Sequence, residues 1–74
     1  MSPSLPVVSG DEAVRALSKA GFRFVRQTGS HMILRCEDPF AQVTVPRHKV
    51  LDRGTLRAII RQSGLSVDVF VSLL

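Results

Sequence analysis

Proton transfer at neutral pH is a task for histidine, and this sequence has two of them. His31 stands in "TGSHM", directly behind a Gly-Ser pair, and His48 stands in "VPRHK". An imidazole with an ordinary pKa near ~6.5 can give or take a proton under physiological conditions. Cleavage of an RNA strand needs both acts: the 2′-hydroxyl loses a proton and the 5′-oxygen gains one. Transfer through the 2′-hydroxyl calls for no metal, and two histidines without Asp or Glu at ligand spacing make a poor metal set. No cofactor motif is present. Read from position alone, His31 is more simply an exposed histidine after a turn, and His48 more simply a loop residue. Ser30 beside His31 suggests a nucleophile pair, but neighbours on a strand point to opposite faces, which argues against a serine hydrolase.

The basic residues are the second set with chemistry. Ten Lys and Arg against six Asp and Glu give a net charge of +4, and all but Lys19 and Lys49 of the basic residues are arginine. Arginine's planar fork suits phosphate better than lysine's point charge. Such a domain is a candidate for nucleic acid, an anionic surface or an acidic protein partner. Arg53, Arg57 and Arg61 recur at i, i+4 and i+8, so they form one stripe on a helix, either a solvated face or a phosphate-tracking ridge. Lys49 and Arg53 lie near that helix's N-terminus, which carries free N–H groups and partial positive charge. Arg23 or Arg26, depending on strand register, could hold a phosphate beside His31, and Arg35 and Arg47 add to the basic surface. The stacked aromatics of many single-strand binders are missing: Phe22, Phe24, Phe40 and Phe70 read as core or edge packing, with Phe40 the loop candidate.

These groups need elements to hold them. "SGDEAVRALSKAGF" carries both helix signals. Ser9 and Glu12 have capping-box spacing, Ala13, Val14, Leu17 and Ala20 mark an apolar face, and Gly21 suits the C-terminal cap; the helix is expected over residues 10–20. Asp11 and Arg15 are spaced for a helix-surface pair. "FRFVRQT" reads as a strand over 22–28, "GS" as a two-residue hairpin turn, and 31–37 as a second strand. Its alternation puts Met32, Leu34 and Cys36 on the core face and His31, Ile33, Arg35 and Glu37 on the other. "EDPFA" reads as a loop and 42–46 as a third strand ended by Pro46. Asp52 is a plausible cap for a second helix over 53–63, with Leu56, Ile59 and Ile60 as its apolar face and Gly64 at its end. Ser66 can cap a closing turn that packs Val69, Phe70 and Leu73.

The expected architecture is a two-layer α+β domain of order α-β-β-β-α: an antiparallel three-stranded sheet with helices on one face and His31 and Arg35 on the open face. The chain has 74 residues and is 45% hydrophobic. That is one domain, spanning 9–74 behind a loose tail at 1–8, with a core of modest stability. One cysteine, Cys36, leaves no disulfide framework. No apolar run reaches membrane-spanning length, and "MSPSLPVV" lacks the build of a signal peptide. A cytoplasmic protein without a membrane partner is expected.

Four stretches together resemble the HicA, or YcfA-like, family of bacterial toxins: "ALSKAGF" (16–22), "RQTGSHMIL" (26–34), "VTVPRHK" (43–49) and "RGTLRAIIRQSGLS" (53–66). They come in the family's order and cover nearly the whole chain. The resemblance implies a fold similar to a double-stranded-RNA-binding domain. It also implies the toxin of a type II toxin–antitoxin pair, a ribosome-independent mRNA endonuclease that stops translation and growth until a HicB-type antitoxin neutralises it. The family's catalytic histidine, in its G-S-H motif, falls on His31, and its second histidine falls on His48. Gly29 and Ser30 match as turn residues or backbone contacts. In that setting the antitoxin is expected to cover the basic face and His31, and the arginines and Lys49 to hold RNA phosphates. The alternative is an RNA-binding module of the same fold with no cleavage.

Overall fold

A computed structural model describes residues 5–74. Its elements run α1 (Gly10–Lys19), β1 (Arg23–Thr28), β2 (His31–Glu37), β3 (Phe40–Pro46), α2 (Arg53–Ser63) and α3 (Val67–Ser72). The sheet is antiparallel with order β1-β2-β3. The expected α-β-β-β-α order is therefore present, and the closing segment capped by Ser66 is the short helix α3.

Local chemistry sets the helix ends. The Ser9 hydroxyl accepts the Glu12 N–H at 3.0 Å while the Glu12 carboxylate accepts the Ser9 N–H at 2.9 Å, a closed capping box. Those bonds, backbone first, hold the Glu12 carboxyl below its ordinary pKa. Asp52 caps α2 through Thr55 N–H at 2.7 Å, Ser66 caps α3 through Val69 N–H, and Gly64 ends α2 with φ of 77°.

One face of the sheet is the core. Met32, Leu34, Val43 and Val45 alternate inward and pack with Ala13, Ala16 and Leu17 of α1 and Leu56, Ile59 and Ile60 of α2. Both long helices thus cover the same face and leave the other bare. Phe70 of α3 is fully buried in this core, whereas Val69, expected to pack with it, is 46% exposed because it sits on the outward side of this short helix.

Three further expectations are corrected. The loop after β2 is only Asp38–Pro39, since Phe40 pairs with Glu37 and Ala41 with Cys36; the period-two pattern of β3 begins two residues before "QVTVP". Val8, placed in a loose tail, is 1% exposed, and its carbonyl accepts the Leu51 N–H at 2.8 Å. Burying an apolar side chain of that size is worth ~1.5–3 kcal/mol, enough to draw the segment onto the core. Residues 1–4 of the expected tail lie outside the described residues. Finally, Asp11 pairs across the fold with Arg47 at 3.4 Å and not along the helix with Arg15.

Candidate active site

The bare face of the sheet carries every second residue of β2 and β3, and the register shows which residues of β1 join them. His31 pairs with Thr28 on β1 and Pro46 on β3; Ile33 with Arg26 and Thr44; Arg35 with Arg23 and Gln42; Glu37 with Phe40. Arg23 and Arg26 are three residues apart, so a regular strand would send them to opposite faces. A β-bulge between Phe24 and Arg26 leaves Val25 without a partner and brings both arginines opposite open-face residues. Arg26 is thereby the diagonal neighbour of His31, and Arg23 lies one pair further off.

His31 opens β2 at the tip of the β1–β2 hairpin. The hairpin turn is Gly29–Ser30, with Thr28 and His31 as the closing pair. Gly29 has φ of 59° and Ser30 does not share the positive sign. Glycine at the first turn position is what a II′-type hairpin demands, because a Cβ there would be strained. Met32, next to His31, is buried and paired with Val45, which anchors the strand from behind. The imidazole itself is exposed, and no hydrogen bond from the described residues occupies it.

Four contacts fasten this turn to the rest of the domain. The Ser30 carbonyl accepts the Arg47 N–H at 2.6 Å. The Gln27 side-chain amide donates to the Gly29 carbonyl at 2.8 Å. The Arg47 guanidinium reaches the Gln27 amide oxygen at 3.5 Å and Asp11 at 3.4 Å. A polar chain thus runs from α1 through the loop after β3 to the turn that carries His31. Sequence reasoning missed Gln27 and Asp11 here. The available signal was a glutamine on the core-facing register of β1, opposite Met32, where an apolar residue would be routine.

His48 stands two residues past Pro46. Its N–H donates to the Pro46 carbonyl at 2.9 Å and its carbonyl accepts the Gly10 N–H at 2.9 Å. The imidazole is exposed. Asp52 is held below the ordinary carboxylate range first by the Thr55 hydrogen bonds and, to a smaller extent, by His48. No hydrogen bond among the described residues joins the two imidazoles.

The expected phosphate-binding residues divide between two surfaces. Arg23, Arg26 and Arg35 share the open sheet face. Arg23 is paired with Glu37 at 2.9 Å with both side chains more than half exposed, so the pair is weak and easily exchanged for a phosphate. Arg35 is steadied by Gln42 at 3.0 and 3.3 Å. Arg47 is engaged by Asp11 and Gln27. Arg53, Arg57 and Arg61 lie exposed on α2, which packs on the other side of the sheet, so this stripe forms a separate basic ridge. Lys49 is exposed in the loop leading to it.

Such a face can bind a polyanion along three arginines and present it to one rigidly mounted imidazole. Among the described residues no group of three or more His, Cys, Asp or Glu is placed to share a metal, and no helix is long and apolar enough to cross a membrane. A family model for the HicA toxin of bacterial toxin–antitoxin systems matches residues 10–65, well over half of the chain, and spans the whole sheet, α1 and α2. No curated protein matches.

Proposed function

Because this chain belongs to the HicA family of toxins from bacterial toxin–antitoxin systems, we propose that it is an endoribonuclease acting on mRNA, with His31 as the group that moves a proton at the cleaved phosphodiester. The observation that carries this reading is the mounting of His31: an exposed imidazole on a pinned hairpin turn, on the one sheet face that also bears Arg23, Arg26 and Arg35. In this account the 2′-oxygen attacks the adjacent phosphorus as its proton leaves, and the 5′-oxygen departs as it gains one. His31 performs one of these transfers, with no metal taking part. Arg26, its diagonal neighbour, is placed to offset the charge that develops on the phosphate. His48, on the loop beside the turn, is the candidate for positioning the strand or for the second transfer.

The substrate is single-stranded RNA, whose bases are open to contact, whereas an A-form duplex hides them. Cleavage of mRNA stops translation and growth, and the site of action is the cytoplasm. A toxin of this family has an antitoxin partner, and we assign a HicB-type protein whose acidic surface covers the open face and His31. Opposite charge on the two partners makes their encounter fast.

Induced expression in a bacterium tests the reading. The wild-type chain should arrest growth and fragment mRNA, His31→Ala should do neither, and co-expression of the antitoxin should restore growth. RNA binding with no fragments and no arrest from the wild-type chain would instead indicate a binding module without catalysis.

A further inference from the structure

Phe40 is the aromatic ring that packing does not explain. Phe22 and Phe70 are buried in the core, Phe24 is 50% exposed but lies on the core-facing register opposite Leu34, and Phe40 is 66% exposed on the other face. It sits on the open face at the end of the sheet opposite His31, paired with Glu37. The Arg35 guanidinium lies 6.0 Å from its ring centroid, within cation–π range, and Gln42 holds that guanidinium in place. Arg23 is cross-strand from Arg35. Along β2 the open face therefore reads Phe40 with Glu37, then Arg35 with Arg23, then Ile33 with Arg26, then His31. At ~3.3 Å per residue, six residues separate the two ends by about 20 Å, a distance that a few nucleotides of extended strand cover.

We propose that Phe40 and Arg35 form a base-stacking subsite for single-stranded RNA, which fixes the strand a few nucleotides away from the bond presented to His31. An aromatic face accepts any base, so the subsite selects for strandedness and length more than for sequence. Arg35 contributes its plane and its charge, while Arg23 and Arg26 track the phosphates between the subsite and His31. This inference rests on the reading that the open face carries RNA. It adds a second fixed point to that path, set by an exposed ring that the core does not use.

The protein has no Trp and no Tyr, so Phe40→Trp introduces a unique indole reporter at the subsite. It is placed in the His31→Ala background, so that binding is read without cleavage, and titrated with a mixed-sequence single-stranded RNA of about ten nucleotides, within the usual site sizes. A duplex of the same length serves as control. The proposal predicts saturable, salt-sensitive quenching by the single strand and little response to the duplex. Phe40→Leu should weaken single-strand binding roughly 5- to 100-fold, leave thermal stability unchanged, and raise KM with kcat retained when His31 is present. Equal binding by Phe40→Leu, or an indole that responds to the antitoxin but not to RNA, would overturn it. Loss of the catalytic reading would look different: wild-type chain that binds and quenches but cuts nothing.

Discussion

The backbone N–H of Arg47 donates to the Ser30 carbonyl at 2.6 Å, one step beyond the last β2–β3 pair of His31 with Pro46. His31 turns its N–H and C=O toward Thr28 across the hairpin, so the positions that bond to β3 are Met32 and Ser30, and Pro46 sits at a non-hydrogen-bonded pair where its missing N–H costs no ladder bond. The single bond from Arg47 to Ser30 places the loop bearing His48 against the hairpin bearing His31. It also brings the Arg47 side chain over Gln27 and Asp11.

The fastening of this turn is open to test through Gln27. Gln27→Leu removes the bond to the Gly29 carbonyl and the acceptor for Arg47. The site is exposed, so global stability should fall by no more than about 1 kcal/mol. Amide exchange at Gly29, Ser30 and His31 should speed up and RNA cleavage should slow, with Gln27→Glu failing to restore the donor. Unchanged exchange at the turn would show that the backbone alone holds it.

Gly10 gives a prediction of unusual sign. Glycine inside a helix ordinarily costs about 0.5–1 kcal/mol relative to alanine. Here a Cβ would run into the Pro46 carbonyl oxygen and crowd Arg47, and the Gly10 N–H is bonded to His48. Gly10→Ala should therefore destabilise, by ~1–3 kcal/mol as for other overpacked sites, in urea denaturation. A gain in stability would mean that α1 does not approach the loop this closely.

Phe70 lies beyond the residues matched by the family model yet is fully buried. Phe70→Ala should cost ~3–5 kcal/mol, a large share of the stability of so small a domain. The expected sign is a steep fall in the thermal midpoint. Val69→Ala, on the exposed side of the same helix, serves as the control with a change near zero.

Acid should weaken the domain in a defined window. The Glu12 and Asp52 carboxyls are both lowered by hydrogen bonds at helix N-termini. A group with a lowered folded pKa stabilises above its unfolded value, near ~4 for these residues, and loses that contribution as pH falls through the folded value. Stability should be flat above about pH 5 and decline below about pH 4. Asp52→Asn keeps a cap acceptor while removing its titration, so the decline should become shallower. An unchanged slope would place the acid sensitivity elsewhere.

The helix starts were legible because their causes are local: Ser9, Asp52 and Ser66 each reach a backbone N–H three residues on. The faces of β2 were legible from the alternation around Met32 and Leu34. What stayed hidden depends on partners distant in sequence. The bulge at Val25 arises from matching β1 to β2, and only that register puts Arg23 and Arg26 on one face. Asp11 was assigned to Arg15 by helix spacing, but Arg47 reaches it across the fold. Phe40 looked like a loop residue because "EDP" hides the start of β3, and its position on the open face follows from pairing with Glu37. The helix stripe of Arg53, Arg57 and Arg61 was legible as a stripe. Its separation from the bare side of the sheet follows from the expected packing of both helices on the other face.

The central claim is that His31 moves a proton in RNA cleavage, and the most direct measurement is the cleavage rate of one defined single-stranded RNA by purified wild-type and His31→Ala protein, with matched circular dichroism and thermal midpoints. His31 is exposed and unbonded to the described residues, so its removal should leave the fold intact. The account predicts a loss of ~10²- to 10⁴-fold in rate, the usual contribution of a positioned general acid or base, with RNA binding retained. Cleavage by His31→Ala within a few-fold of wild type would contradict it.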